Sequence, residues 1–101
     1  MKRTRKRYLQ FTLHRDGAKI TEKQFSSAIW SSLLSLYGEV FTADSKFYLN
    51  SYDAQKGTGI LQCNAAALEK VIASAVMISS IGTTSVSFEP KKVSGTIKGL
   101  G

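Results

Sequence analysis

The fold is decided by the stretch Ser45-Lys46-Phe47-Tyr48-Leu49-Asn50-Ser51-Tyr52-Asp53, a turn at Lys56-Gly57, and the stretch Thr58-Gly59-Ile60-Leu61-Gln62-Cys63. Both stretches are rich in aromatic or branched side chains, which strands favour. Two strand-like stretches joined by a short glycine-containing turn predict an antiparallel hairpin. What flanks this hairpin then determines the architecture.

A helix is predicted on each side of the hairpin. The first begins near Thr21, whose spacing to Gln24 fits a capping box, and ends at Gly38. The second is capped by Asn64, covers about residues 65–81 and ends at Gly82. The residues predicted to face the core are Phe25, Ile29, Leu33 and Leu36 in the first helix, and Leu68, Val71, Ile72, Ala75 and Ile78 in the second.

Two further strands complete the pattern. Residues 8–14 alternate, with Leu9, Phe11 and Leu13 on one face, and residues 85–93 form the last strand. Pro90 within that strand predicts an edge position or a break, because proline cannot donate to the sheet. The order β-α-β-β-α-β predicts one α+β domain over residues 1–101. We expect a ferredoxin-like sandwich whose four-stranded antiparallel sheet carries two helices on one face.

The charge of the chain points to a polyanionic partner. The net charge is +7, and five cations lie in a basic N-terminal arm, residues 1–7: Lys2, Arg3, Arg5, Lys6 and Arg7. Such a cluster attracts nucleic acid through counterion release, although a solvated tail is the simpler alternative. The arm has no Leu, Phe or Trp to insert into a membrane, and no apolar run typical of a signal peptide or a membrane span follows it.

The number and placement of the Cys, His, Asp and Glu residues do not favour catalysis or metal binding by the protein. Cys63 and His14 are the only cysteine and histidine, and Cys63 lies in an apolar strand where a small core residue is expected. The seven acidic residues are scattered. We therefore predict no catalytic residue and no metal site. A single cysteine, which cannot form an internal disulfide, favours a reducing, cytoplasmic location.

The third strand differs from the RNA recognition motif, which shares the predicted fold. In that motif, exposed aromatic side chains on the third strand stack on bases. Here Lys56-Gly57 and Gly59 match the motif, but Thr58 and Ile60 stand in place of the rings. We therefore expect no readout of single-stranded bases on this face, while contacts to phosphates and to the shape of folded RNA remain open.

Both helices carry more apolar residues than one sheet face requires. Scattered exposed apolar side chains are one explanation, and a protein-protein interface is the sharper one. The residues predicted for this interface are Trp30, Leu34, Met77 and Ile81.

The C-terminal run Val93-Ser94-Gly95-Thr96-Ile97-Lys98 is the second candidate contact with RNA. In this interpretation the hydroxyls of Ser94 and Thr96 and the amide of Gly95 contact RNA. Lys98, with Lys91 and Lys92, supplies the charge, and Gly95 is expected to need a positive φ. The alternative is a plain turn that ends the last strand.

Four segments together resemble the Pop-five-type protein subunit of ribonuclease P, in the short form typical of archaea. They are Arg7-Tyr8-Leu9, Leu36-Tyr37-Gly38-Glu39, Gly57-Thr58-Gly59-Ile60-Leu61-Gln62-Cys63, and the C-terminal run. The resemblance implies the ferredoxin-like fold. It also implies a place in a ribonucleoprotein that removes the 5′ leader of precursor tRNA, in which the RNA holds the active site and the Mg²⁺.

The same resemblance implies protein partners. These are a barrel-like subunit of the Rpp-thirty type and a second copy of the chain, a homodimer within a heterotetramer. A ferredoxin-like ligand-sensing domain with an incidental basic tail is the alternative function. Two experiments distinguish these functions. A ribonuclease P subunit should bind structured RNA in a gel-shift assay, and a ligand-sensing domain should be stabilised by a small molecule in a thermal-shift screen.

Overall fold

The computed structural model describes residues 5–100. In chain order the elements are β1 (Lys6–Asp16), α1 (Glu22–Asp44), β2 (Tyr48–Asp53), β3 (Thr58–Asn64), α2 (Leu68–Val76), β4 (Ser80–Ile81) and β5 (Thr84–Ser94). Short 3₁₀ turns cover Ala65–Ala67 and Lys98–Leu100. The predicted α+β class is confirmed, and no helix in this part of the chain is long and apolar enough to cross a membrane.

The sheet has five strands where four were predicted. Their order is β2-β3-β1-β5-β4, and every neighbouring pair is antiparallel. The added strand, β4, has two residues, Ser80 and Ile81, which pair with the start of β5. It forms because α2 ends at Val76, five residues earlier than predicted. Gly82, at φ +63°, then opens a two-residue hairpin loop, for which glycine is favoured at the first position.

The predicted hairpin is confirmed, with β2 paired to β3 from Tyr48 opposite Gln62 to Asp53 opposite Thr58.

Both interpretations of Pro90 are also confirmed. It pairs with Phe11 next to a register shift, which leaves Lys91 as an extra residue in β5. Beyond Ser85, the side of β5 that β4 pairs with has no strand partner within residues 5–100.

One hydrophobic core lies between the sheet and the two helices. The ring of Phe11 in β1 lies 5.3 Å from that of Phe25 in α1 and 5.2 Å from that of Phe88 in β5, centroid to centroid. The buried core residues from the strands are Leu9, Phe11, Leu13, Leu49, Leu61, Cys63, Ile81, Val86 and Phe88, and those from the helices are Phe25, Ile29, Leu33, Val71 and Ala75. They occupy one face of the sheet, so both helices cover that face.

At the other helix ends, the prediction is confirmed at Thr21, confirmed in part at Gly38 and wrong at Asn64. The capping box is present: Thr21 Oγ1 accepts from the amide of Gln24 at 3.1 Å, and Gln24 Oε1 accepts from the amide of Thr21 at 2.9 Å. Gly38 breaks α1 at φ +85°, but helical structure resumes and continues to Asp44. Asn64 makes no capping bond to the following turn, because its side-chain amide donates to the Asp44 carbonyl.

Leu36 is 45% exposed, so its predicted core position is wrong. Tyr37 packs against the core at this end of α1 instead. The Lys70 ammonium from α2 lies 5.3 Å from the centroid of the Tyr37 ring and 4.8 Å from that of Phe41. A lysine over two rings covers apolar surface that the sheet does not reach.

Candidate nucleic-acid interface

The antiparallel pairing of β1 with β5 brings the two predicted RNA-binding segments together. Tyr8 lies opposite Ser94, so the start of β1 and the end of β5 lie at the same end of the sheet. We call this the terminal surface, formed by Arg5, Lys6, Arg7, Ser94, Gly95, Thr96 and Lys98. Lys2 and Arg3, also predicted to bind RNA, lie outside the described residues.

The cations of the terminal surface have no acidic partner within residues 5–100. Arg5, Lys6 and Lys98 are exposed, and Arg7 is half-buried and donates from Nη1 to the Lys6 carbonyl at 3.0 Å. The ion pairs in this part of the chain all involve Glu89. Lys6 and Arg7 belong to β1, so the predicted arm overlaps the sheet and two of its cations are held by strand geometry.

The C-terminal run folds into a turn built on its own hydroxyls. Ser94 Oγ accepts from the amide of Thr96 at 3.2 Å, and Thr96 Oγ1 accepts from the amide of Gly99 at 3.1 Å. Leu100 is buried and fixes the end of the turn. Each hydroxyl retains its proton, so both can still donate to a phosphate or ribose oxygen.

The expectation for Gly95 is wrong. The glycines with positive φ within the described residues are Gly17, Gly38, Gly57 and Gly82. A Cβ on Gly95 would lie 3.6 Å from Nη1 of Arg7, which is an ordinary contact. A Cβ at position 99 would instead overlap the Ser94 hydroxyl, so a larger residue there would displace the oxygen that accepts from the Thr96 amide.

Lys91 and Lys92 lie on the side of the sheet that the helices leave uncovered. We call this the open sheet face. Lys92 pairs with Gln10 of β1. The other β1 residues on this face are Tyr8, Thr12 and His14. From β2 and β3 it presents Tyr48, Ser51, Thr58, Ile60 and Gln62. The Oε1 atom of Gln62 accepts from Asn50 Nδ2 at 2.7 Å.

Glu89 forms a cluster on this face with two basic side chains. Its Oε1 lies 2.7 Å from His14 Nε2, and its Oε2 lies 3.1 Å from Lys91 Nζ. The hydrogen bond from His14 and then the one from Lys91 hold the pKa of Glu89 below its usual value. No sequence pattern indicated this cluster, because the extra residue Lys91 sets which residue of β5 lies beside His14.

Two of the four residues predicted for the protein interface, Trp30 and Met77, are exposed. We define the apolar helix surface as Trp30, Leu36, Val40, Val76 and Met77, of which Trp30 is 41% and Met77 is 67% exposed. Leu34 is half-buried. Ile81 is 8% exposed because it lies in β4 and packs in the core, so its assignment to the interface is wrong.

A family model for the Rpp14/Pop5 family matches residues 7–100. The chain belongs to this family. "Ribonuclease P protein component 2" of Archaeoglobus fulgidus is 38% identical over 96 residues, which cover 95% of this chain and 84% of the relative. The protein of the same name from Pyrococcus furiosus is 35% identical over 103 residues and 97% of this chain, and 81% of the relative is covered.

The fold of this Rpp14/Pop5 family member also matches a solved structure. A chain of the cryo-EM structure of yeast ribonuclease MRP superposes with a TM-score of 0.72 at 12% identity, over 95% of this chain and 78% of the other. Family membership confirms the resemblance based on the four segments.

The remaining chemistry of this family member agrees with a structural role for its cysteine. Cys63 is buried in β3, and loss of solvation raises the pKa of its thiol to about 11. At neutral pH the thiol is therefore protonated and a poor nucleophile. Residues 5–100 contain no group of three or more His, Cys, Asp or Glu side chains placed to hold a metal ion.

Proposed function

We propose that this chain is a protein subunit of ribonuclease P that binds and supports the catalytic RNA while the 5′ leader of precursor tRNA is removed. The observation that carries this proposal is the family match over residues 7–100, together with the names of the archaeal relatives. In this proposal the RNA supplies the active site and holds the Mg²⁺. The chain meets precursor tRNA only inside the assembled ribonucleoprotein.

We assign the fold to the ferredoxin-like type. Apart from β4, the elements follow the order β-α-β-β-α-β, and the strands lie in the order β2-β3-β1-β5. In this arrangement both helices cover one face and leave the other open to an RNA partner. The two-residue β4 is then an addition at the β5 edge.

The terminal surface is the proposed first contact with the catalytic RNA. Its cations come from two chain segments that the sheet holds side by side, and no acidic side chain within residues 5–100 neutralises them. Phosphates that displace counterions here would make binding strongly dependent on salt. The Ser94 and Thr96 hydroxyls add uncharged donors to the charged donors that lysine and arginine supply.

The apolar helix surface is the proposed contact with protein partners. Its exposed residues are uncharged and include Trp30, a residue type that often anchors protein interfaces. An Rpp-thirty-type barrel subunit and a second copy of the chain, in a heterotetramer, are the proposed occupants. RNA and protein would then bind to different sides of the sheet.

A salt titration of RNA binding tests the proposed RNA contact. The triple variant Arg5→Ala/Lys6→Ala/Arg7→Ala should flatten the plot of log affinity against log salt, by roughly 0.7–0.9 for each phosphate that the variant no longer neutralises. The control variant Lys19→Ala/Lys23→Ala/Lys56→Ala removes the same charge from exposed positions elsewhere. Equal effects of the two triple variants on the slope would show that net charge, and not the terminal surface, determines binding.

A further inference from the structure

The open sheet face contains a concavity of about 560 Å³ that the terminal surface does not include. It crosses four strands, from β2 through β3 and β1 to β5. At about 4.8 Å between neighbouring strands it is roughly 14 Å wide. The side chains that line it include Gln10, Thr12, Ser51, Thr58, Ile60 and Lys91.

The lining combines unused hydrogen-bonding groups with a small apolar patch. Thr12 lies directly opposite Thr58 across β1 and β3, and Ser51 lies opposite Ile60 across β2 and β3. None of the side-chain hydrogen bonds within residues 5–100 involves Gln10, Thr12, Ser51 or Thr58. Ile60 is half-buried among them. Polar groups around an apolar centre match a ribose and a base, which have polar edges and apolar faces.

The two ends of the concavity carry different charged groups. Lys91 lies at the β5 end, where Glu89 fixes its ammonium at 3.1 Å. Asp53 lies at the β2 end, and its Oδ1 accepts from the amides of Gln55 at 2.9 Å and Lys56 at 3.2 Å. Glu89 balances the charge of Lys91, but the exposed Lys92 lies opposite Gln10 at the same end, so a phosphate is attracted to the β5 end. Asp53 disfavours a phosphate at the β2 end. A bound nucleotide is thereby oriented with its phosphate at β5 and its base toward β2.

We propose that this concavity binds one unpaired ribonucleotide of an RNA that also contacts the terminal surface. The inference rests on the proposed function. The two sites are continuous, because Lys92 opposite Gln10 and Ser94 opposite Tyr8 lead from one to the other along the same strand pair. A duplex is convex and its bases are stacked inside it, so an unpaired nucleotide is the RNA element that fits a hollow.

This proposal departs from the expectation that bases are not read on this face, because recognition in the concavity needs no stacking on exposed rings. Thr58 and Ile60 supply no ring, so the base edge and the 2′-hydroxyl must carry the contacts. The 2′-hydroxyl distinguishes RNA from DNA at a given site. We therefore expect this site to prefer RNA over DNA of the same sequence and to show little dependence on base stacking.

Amide NMR of the full chain with three probes tests the proposal. The probes are a single-stranded ribo-octanucleotide, the deoxyribo-octanucleotide of the same sequence, and a blunt RNA duplex of twelve base pairs. The ribo-octanucleotide should shift the amides around Thr12, Ser51 and Thr58, and the other two should shift mainly the terminal surface. Shifts confined to the terminal surface with all three probes would overturn this inference alone. Absence of any shift, here and with cognate ribonuclease P RNA, would refute the proposed function as well.

Variants of the concavity sharpen the test. Thr12→Val/Thr58→Val keeps side-chain shape but removes two hydroxyls, and should lower affinity for the ribo-octanucleotide roughly tenfold. The matched control Ser85→Ala/Ser87→Ala removes two hydroxyls from the open sheet face outside the concavity and should change affinity less than twofold. Ser51→Leu, which fills the hollow, should abolish the RNA preference over DNA. Unchanged affinity in both concavity variants, with the fold intact by NMR, contradicts the proposal.

Discussion

The two sides of the sheet present different chemistry to solvent. The helix side exposes large apolar residues such as Trp30, Val40 and Met77 among charged ones such as Glu69 and Lys70. The open sheet face exposes hydroxyls, amides and the cations Lys91 and Lys92. Period-two alternation along β1 determines which face the helices cover, since Leu9, Phe11 and Leu13 face the helices and Gln10 and Thr12 do not. In the proposed assignment, a protein partner and an RNA partner would therefore occupy opposite sides of one sheet.

The largest expected effect comes from disrupting the hydrophobic core, on which both sides of the sheet depend. Phe25 is fully buried, and its ring lies 5.3 Å from Phe11, 5.6 Å from Tyr52 and 6.0 Å from Phe88. Phe25→Ala should lower the free energy of unfolding by about 3–5 kcal/mol, measured by urea denaturation, and weaken both kinds of binding together. Phe25→Leu should be less destabilising.

The control for Phe25 is Ser27→Ala, an exposed position two residues along α1, which should change stability by less than about 0.5 kcal/mol. Retention of protein binding after a clear loss of RNA binding in Phe25→Ala would contradict a shared core.

The second expected effect concerns the helix side alone. Trp30→Ala should weaken binding to an Rpp-thirty-type subunit roughly 30-fold, because a buried tryptophan anchor typically contributes at least about 2 kcal/mol. Affinity for the ribo-octanucleotide should stay unchanged. Isothermal calorimetry with each partner measures both affinities, and Ser31→Ala is the neighbouring exposed control. Unfolding of the free Trp30→Ala chain would place Trp30 in the core.

The third expected effect separates charge from turn structure at the terminal surface. Lys98→Ala should reduce RNA affinity a few-fold and lower the salt slope by roughly 0.7–0.9, with an unchanged melting temperature. Thr96→Val should lower the melting temperature as well, because it removes the acceptor of the Gly99 amide. Thr96→Ser keeps that oxygen and is the control. A wild-type salt slope in Lys98→Ala would make the C-terminal run purely structural.

The smallest expected effect concerns the acid response of Glu89. Because the folded-state pKa of Glu89 is lowered, its ion pairs stabilise the fold above its unfolded-state pKa. This contribution is lost as the pH falls through the lower folded-state value. His14→Gln should move the pKa of Glu89 back toward its usual range, measured by NMR titration of its side-chain carboxyl carbon. Equal midpoints in the two proteins would exclude His14 as the main cause.

Local patterns predicted most of the fold. The capping box at Thr21, the alternation in β1, the hairpin and the buried residues Val71 and Ala75 of α2 all follow from spacing alone. The end of α2 did not, because Ile78 and Ile81 fit a helical stripe as well as they fit a short strand. The choice depends on pairing between Ser80 and Ser85, which is a tertiary contact.

The candidate site was predicted by residue type more than by geometry. The sequence identified the basic start and the C-terminal run, but their proximity depends on how β1 pairs with β5. The cluster of His14, Glu89 and Lys91 depends on a single extra residue in β5. The role of Gly99 depends on a turn that folds back on Ser94. Register and turn closure of this kind leave no trace in a single sequence.

The position of the terminal surface has a mechanical consequence. Where β1 begins and β5 ends, two antiparallel strands lie side by side with their hydrogen bonds perpendicular to the strands. A force that pulls Arg5 away from Leu100 would therefore break the hydrogen bonds between β1 and β5 one after another. It would not load many of these bonds at the same time. An RNA bound to both strand ends would hold together the end of the strand pair where this opening begins. The chain would then resist mechanical unfolding better when RNA is bound to it than when it is free.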